Sequence, residues 1–442
     1  MVHGPWTPIH MQYYSLNMQA PNVDFREATV RGQAPDKGLY FPERIPAVDK
    51  KVIEGISDLS PEELSFRIML PYTGDTIDEA SLYTIVSETI NFPFPLVSIT
   101  DTILSLELFH GPTLAFKDVG ARFMSRCLGY FSRKSDAKIT VLVATSGDTG
   151  GAVANGFLGV EGVDVVILYP SGKVSPVQEL QLTTCGQNIT ALEVAGSFDD
   201  CQAMVKDAFM DAELAKKLQL TSANSINVAR WLPQQLYYFL AYRQWKEKKV
   251  PPVIAVPSGN FGNICAGLLA HTSGLPVKHF IAACNVNDAV PQYLHSGNYT
   301  VQTAVPTISN AMDVGDPSNF VRILELFRHE HHAISEMISG YTVSDEQTRA
   351  TIAEVYRSFN YTLDPHGAVA YHALAEYLQI HPGQKGIFLE TAHPVKFPET
   401  VEAMTGKPVA IPASAQDLFG KEKHSVQIGN VFSELKEWLM RR

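Results

Sequence analysis

The chain has 442 residues, 45% of them hydrophobic and 18% charged, with a formal net charge of −11. That length gives room for two or three domains with large cores, and the composition excludes a disordered chain. The acidic balance argues against a nucleic-acid or anionic-membrane surface, which leaves small molecules as partners.

The amino-terminal stretch MVHGPWTPIHMQYYSLN has neither a basic start nor an apolar leader core, and no apolar run approaches the roughly 20 residues that cross a bilayer. A cytoplasmic location is expected. The cysteines, Cys127, Cys185, Cys201, Cys265 and Cys284, are odd in number and never spaced C-x-x-C, which speaks against a disulfide framework or a cysteine-rich zinc site. They read as thiols in a reducing compartment.

Residues 1–95 read as a small α/β domain, with closely spaced turn residues in GQAPDKGLYFP and a helix opened by Pro61-Glu62-Glu63. From residue 97 a new rhythm begins, in which short β-branched runs end in turn residues and are followed by amphipathic helices. It predicts parallel α/β structure. Five runs stand out: residues 138–145, 163–170, 252–259, 277–285 and 385–391. Ligands of open α/β sheets bind beyond the carboxyl ends of the strands, so the loops after these runs are expected to converge on one crevice.

In HGPTLAFKDVG, residues 110–120, Lys117 follows the apolar Leu114, Ala115 and Phe116. Such a lysine either snorkels to solvent or sits desolvated, with a lowered pKa that makes its amine a nucleophile toward aldehydes. TSGDTGGAVANG, residues 145–156, and SGNFGNICAG, residues 258–267, are small-residue loops running into helices, where backbone amides and the helix dipole favour an anion. Each read singly is equally a tight turn. Neither fits G-x-G-x-x-G, and PSGKVS at 170–175 lacks a full nucleotide-binding loop. SANSINVAR, residues 222–230, sets Asn224 and Ser225 ahead of Arg230, which is either a phosphate-binding set or a capped helix with a surface arginine. A lysine beside several anion cradles fits a phosphorylated aldehyde, pyridoxal phosphate. The histidines His329, His331 and His332 could hold a metal, with His329 and His332 on one helical face, but a solvated polar face is the expected reading and no metal is assigned.

In order and spacing, HGPTLAFKD, ATSGDTGGAVA, YPSGKVSPVQE, SANSINVAR, VPSGNFGN, NAMDVGDPSN, DPHGAVA and ETAHPVKFP resemble the threonine synthase family, in the subgroup shared by many bacteria and fungi. YYSLN, VDFREA and GQAPDKGLYFP match it too, so the likeness runs from about Met11 to about Thr405.

The resemblance implies fold type II of the pyridoxal-phosphate enzymes, as in tryptophan synthase β: two open α/β domains with parallel sheets and an added N-terminal α/β domain. The expected division is 1–95 for the N-terminal domain, 96–124 with 236–412 for a large cofactor domain, 125–235 for a smaller mobile domain, and 413–442 for a helical extension. Lys117 corresponds to the Schiff-base lysine and proton-moving base. Gly259, Asn260, Phe261, Gly262 and Asn263 correspond to the cofactor-phosphate loop, and Thr391 to the hydroxyl at the pyridine nitrogen. Thr145, Ser146, Asn224, Ser225 and Arg230 correspond to the substrate-phosphate residues, and Thr149 to the carboxylate grip. Lys173, whose loop ends the neighbouring strand, is added to the phosphate group.

Asp148 stands where many relatives of the wider fold type have an asparagine beside the cofactor's O3′. A carboxylate and a phenolate would repel, so either one of them holds a proton or Asp148 turns to another partner. His110 and His393 are expected near the crevice in packing or supporting roles. The implied reaction converts O-phospho-L-homoserine and water to L-threonine and phosphate, in a monomer or homodimer. The alternatives are a phospho-lyase releasing an oxo acid and, in another class, a non-catalytic binder of phosphorylated metabolites, which would need the loops but not Lys117.

Overall fold

Strands covered on both faces read as unbroken apolar runs, and the run Ile139–Ala144 is buried at every position. The structure, a computed structural model, describes residues 10–133 and 138–441. The stretch Met1–Ile9, which the leader reading began on, lies outside the described residues. The chain divides into two compact units, one formed by residues 1–91, 117–236 and 421–442, the other by 92–116 and 237–420. The five runs divide between two sheets, two in the first unit and three in the second, as the two expected parallel-sheet domains require.

In the first unit, five parallel strands lie in the order Val426–Ile428, Ile189–Val194, Val163–Pro170, Ile139–Ala144 and Gln219–Ser222. Parallel pairing sends each chain back through a crossover, so the carboxyl ends all face one way. TSGDTGG, PSGKVS and ANSINVAR therefore leave neighbouring strand ends. The N-terminal residues pack within this same unit. The strands Tyr13–Ser15 and Tyr40–Pro42 pair antiparallel, and Asp36 ties their loops by accepting from Ser15 Oγ at 2.6 Å and from the amides of Gly38 and Gln19 at 2.9 Å. Those bonds account for YYSLN and GQAPDKGLYFP as a loop knot. Phe25, on the helix Phe25–Arg31 capped by Asp24, packs on Phe123 and Phe131 of the helix Lys117–Ser132.

The last segment, expected to be helical, also supplies the strand Val426–Ile428, with Val426 opposite Leu192. Its helix Phe432–Met440 buries Leu435 and Leu439 completely, each contributing on the order of 1.5–3 kcal/mol. Glu193 anchors the segment: it accepts from Ser171 Oγ at 2.7 Å and Ser425 Oγ at 2.9 Å and pairs with Lys423 at 2.9 Å. Burial works against its charge, but the Ser171, Lys423 and Ser425 bonds prevail and hold the carboxyl down to about 2. A depressed carboxylate contributes stability that is present above its unfolded value and lost as pH falls through the folded one. Docking of the segment should therefore weaken from about pH 4.5 down to about pH 2. Glu193→Gln is expected to lose less melting temperature than the parent between about pH 6 and about pH 3; equal losses would refute this.

In the second unit, six strands lie in the order Ile338–Thr342, His279–Cys284, Val253–Pro257, Gly386–Glu390, Ile103–Glu107 and Leu96–Ser98. All pairs are parallel except the last. Three adjacent strand ends thus lead into SGNFGN, TAHPVKF and the FHGPTLAF stretch before Lys117. The helix Pro365–Ile380 covers this sheet with Ala368, Val369, Ala370, Ala373 and Leu374, all fully buried. Among the described residues no helix is long and apolar enough to cross a membrane.

Candidate active site

Lys117 is the first residue of the helix Lys117–Ser132 and is partly buried. The segment leading to it is fastened within the second unit: Phe116 N donates to Thr391 O at 2.9 Å, and Ala115 bridges Ala392. Thr391 is buried. Three residues into the helix, a Cβ on Gly120 would meet the backbone oxygen of Arg230 at 2.6 Å and its Nε at 3.1 Å. The absent side chain thus lets Arg230 lie against the first turn that Lys117 opens. Arg230 is itself buried, on the short helix Val228–Trp231 capped by Asn227, and donates to Ala223 O. Asn227 also ties this motif to the N-terminal helix, donating to Thr29 O at 2.9 Å.

Around the SGDTG loop, Thr145 Oγ1 accepts from Gly147 N at 2.9 Å and Gly150 N at 2.8 Å. Gly147, at φ 137°, is the N-cap of the helix Asp148–Phe157 and has no side chain of its own to bond the first amides. Ser146 and Thr149 are partly exposed at that helix start. Asn224 Nδ2 lies 3.4 Å from Ala144 O, so the SANS loop sits beside the same strand end, with Ser225 next to it and partly exposed. Lys173 is exposed, and its amide donates to Pro170 O. Asp148 turns to a partner: its Oδ1 accepts from Gln178 Nε2 at 2.8 Å. Gln178 closes a capping box with Ser175 on the helix Pro176–Thr183, linking the SGDTG and PSGKVS loops.

In the second unit, Phe261 takes the left-handed φ of 59° that turns the chain into the helix Gly262–Thr272, whose first amides have no side-chain cap. A Cβ on Gly259 would stand 2.7 Å from Ala311 O, so backbone closes the loop from behind. Asn319 braces it, its backbone and side-chain nitrogens donating to Asn260 O at 3.2 and 3.1 Å, and Arg322 Nη1 holds Asn319 Oδ1 at 2.6 Å. Asn263 is buried and its Nδ2 has no acceptor among the described residues. An orphaned donor beside uncapped helix amides fits an anionic phosphate, and a buried hydroxyl at Thr391 fits a ring nitrogen, so the residues suit pyridoxal phosphate.

Behind Thr391, His366 Nδ1 lies 2.6 Å from Asp364 Oδ1, and Asp364 N donates to Glu390 Oε1 at 2.6 Å. Burial, and then the Asp364 charge, push the Glu390 carboxyl well above the usual range. His110 Nε2 lies 2.6 Å from Glu107 Oε2, and His393 accepts from Val395 N at 3.1 Å. Burial, with a smaller push from His110, lowers His393 to about 4, so its imidazole is neutral near pH 7.

His329 and His332 do not share a helical face, because the helix starts at His331 and His329 sits before it at φ 60°. His329 pairs with Glu325 and His332 with Glu336, each at 3.5 Å. Among the described residues no group of three or more His, Cys, Asp or Glu could hold a metal. Reading the sequence missed Gln178, Asn319, Arg322 and Glu390. All four lie in or just after quoted motifs, but the bonds that give them a role, to Asp148, Asn260 and Asp364, join segments far apart in sequence.

The sequence matches the family described as pyridoxal-phosphate dependent enzyme over residues 98–389, the threonine synthase N terminus over 12–90, and the threonine synthase C-terminal family over 367–438. The threonine synthase of Haemophilus influenzae is 44% identical over 98% of this chain and 100% of its own length. That of Escherichia coli is 46% identical over 91% and 93%. The crystal structure of the Escherichia coli enzyme superposes with a TM-score of 0.90 at 42% identity, covering 97% of this chain and 99% of that one. The pyridoxal-phosphate-bound threonine synthase of Brucella melitensis gives 0.92 at 35% identity, covering 98% and 99%. With a small-molecule substrate and pyridoxal phosphate as cofactor, the chain belongs to the threonine synthase family, within fold type II of the pyridoxal-phosphate-dependent lyases.

Proposed function

We propose that the chain converts O-phospho-L-homoserine and water to L-threonine and phosphate. The leaving phosphate sits on Cγ, so protons must leave Cα and then Cβ before it can depart; Cγ then takes up a proton, the hydroxyl of water adds at Cβ, and Cα regains its proton. Pyridoxal phosphate, when bound, supplies the electron sink that makes those protons acidic. Lys117 holds the cofactor through its amine and then moves the protons. Gly259, Asn260, Phe261, Gly262 and Asn263 receive the cofactor phosphate, and Thr391 meets the ring nitrogen with a neutral hydroxyl. Arg230, Asn224 and Ser225, with Thr145, Ser146 and Lys173, receive the substrate phosphate, and Thr149 the substrate carboxylate. Asp148, turned to Gln178, borders the cofactor ring.

The observation that carries this reading is the packing of Arg230 on Gly120, which sets a buried guanidinium against the turn that begins with Lys117. Gly120→Ala is expected to push the Arg230 backbone away, lowering kcat/KM by about tenfold and stability by about 1–3 kcal/mol; unchanged kcat/KM would refute the close fit. The reaction itself is tested by quantifying phosphate and threonine from O-phospho-L-homoserine. Equal yields support it, and phosphate with 2-oxobutanoate and ammonia in place of threonine would identify a phospho-lyase. We place the protein in the cytoplasm as a monomer or homodimer, a location supported by five cysteines with no disulfide among them.

A further inference from the structure

Lys396, in ETAHPVKFP, is fully buried, where an ammonium is stable only with partners. Its Nζ donates to the carbonyl of Thr113 at 2.9 Å, and Thr113 is buried as well. That carbonyl stands four residues before Lys117. The next residue, Leu114, takes a φ of 60°, a left-handed conformation that a leucine keeps only where its surroundings over-determine it.

They do so here. Leu114 N donates to Gly111 O and Leu114 O accepts from His393 N, both at 3.0 Å. Ala115 bridges Ala392, Phe116 N donates to Thr391 O at 2.9 Å, and Tyr237 Oη donates to Phe116 O. Residues 113–116 are thus latched, position by position, to the segment 391–396. Lys396 is the charged end of that latch.

We propose that Lys396 is a positioning residue for the reaction: its ammonium clamps the Thr113 carbonyl and so fixes the strained segment that delivers Lys117. The inference rests on the role proposed above for Lys117. Without the clamp the buried Thr113 carbonyl loses a charged donor, the hold on Leu114 in the left-handed region is loosened at its leading end, and the helix start shifts. A displacement of about 1 Å at a proton-moving group costs about 10²-fold in rate.

The test uses holoenzyme carrying Lys396→Met, which keeps the length and removes the donor, or Lys396→Gln, which keeps an N–H donor without charge. The Met variant is expected to lose about 10²-fold in kcat with KM changed by less than about threefold, and the Gln variant to recover at least about tenfold of that loss. Independently of turnover, circular dichroism of the visible cofactor band should fall in the Met variant at equal cofactor content, because the band reports a fixed orientation. A Met variant with parental kcat and dichroism overturns the proposal, as does a Gln variant as impaired as the Met variant. Should the Met variant not fold, the Gln variant decides: kcat within about tenfold of the parent supports the clamp, and a deeper loss overturns it. Absence of turnover in the parent would sink the proposed reaction, while the dichroism would still report on Lys396.

Discussion

Lys117→Ala is expected to abolish the yellow lysine-linked band of the cofactor and to lower turnover of O-phospho-L-homoserine by about three to four orders of magnitude. The size follows from the double duty proposed for one amine. It first holds the aldehyde of the cofactor, which any free primary amine could replace slowly. It then moves protons at Cα and Cβ, which needs a base fixed on the helix start between Phe116 and Gly120. Cofactor binding itself should survive, because the Gly259–Asn263 loop is built from the second unit's own backbone and braced by Asn319. The measurement is the visible spectrum and single-turnover rate of the variant reconstituted with pyridoxal phosphate. A colourless but fully active variant would remove Lys117 from the chemistry, and Lys396 with it.

Much of this was legible in the sequence, for identifiable reasons. Strands such as Ile139–Ala144 and Val253–Pro257 announce themselves because a two-sided burial demands an unbroken apolar run. Their glycine-rich exits announce themselves because close backbone approach excludes a Cβ, as the 2.7 Å clearance at Gly259 illustrates. Lys117 was less legible. Its neighbours alone fit a snorkelling lysine better, and it was the anion cradles together with the family likeness that pointed to the other reading. The strand Val426–Ile428 was illegible: it is three residues long, mostly exposed, and forms because Lys423 and Ser425 reach Glu193 more than 200 residues away. Gln178, Asn319 and Lys396 escaped for a related reason. Their side chains hold other loops rather than a ligand, and no spacing rule reports a bond between distant segments. The partner of Asp148 needed coordinates for the same reason, since it is the amide of Gln178, 30 residues on.

Arg230 carries the second large effect. Arg230→Met is expected to lower kcat/KM by about 10²–10³-fold, because a buried phosphate would lose a two-pronged, charge-assisted donor, each such bond being worth about 1.5–3 kcal/mol. Arg230→Lys should fall between: the charge remains, but a lysine offers a point charge where the guanidinium offers a planar fork. The loss should appear in KM as well as kcat, since the proposed site would hold the phosphate from binding until it leaves Cγ. Product partition adds a sharper reading. If phosphate held at Arg230 is also the group that takes the proton from the attacking water, the variant should form proportionally more 2-oxobutanoate and less threonine. A variant slowed a hundredfold with unchanged partition would confine Arg230 to binding. A variant with parental kcat/KM would move the phosphate site off the SANSINVAR loop altogether, and the closeness of Arg230 to Gly120 would then be packing alone.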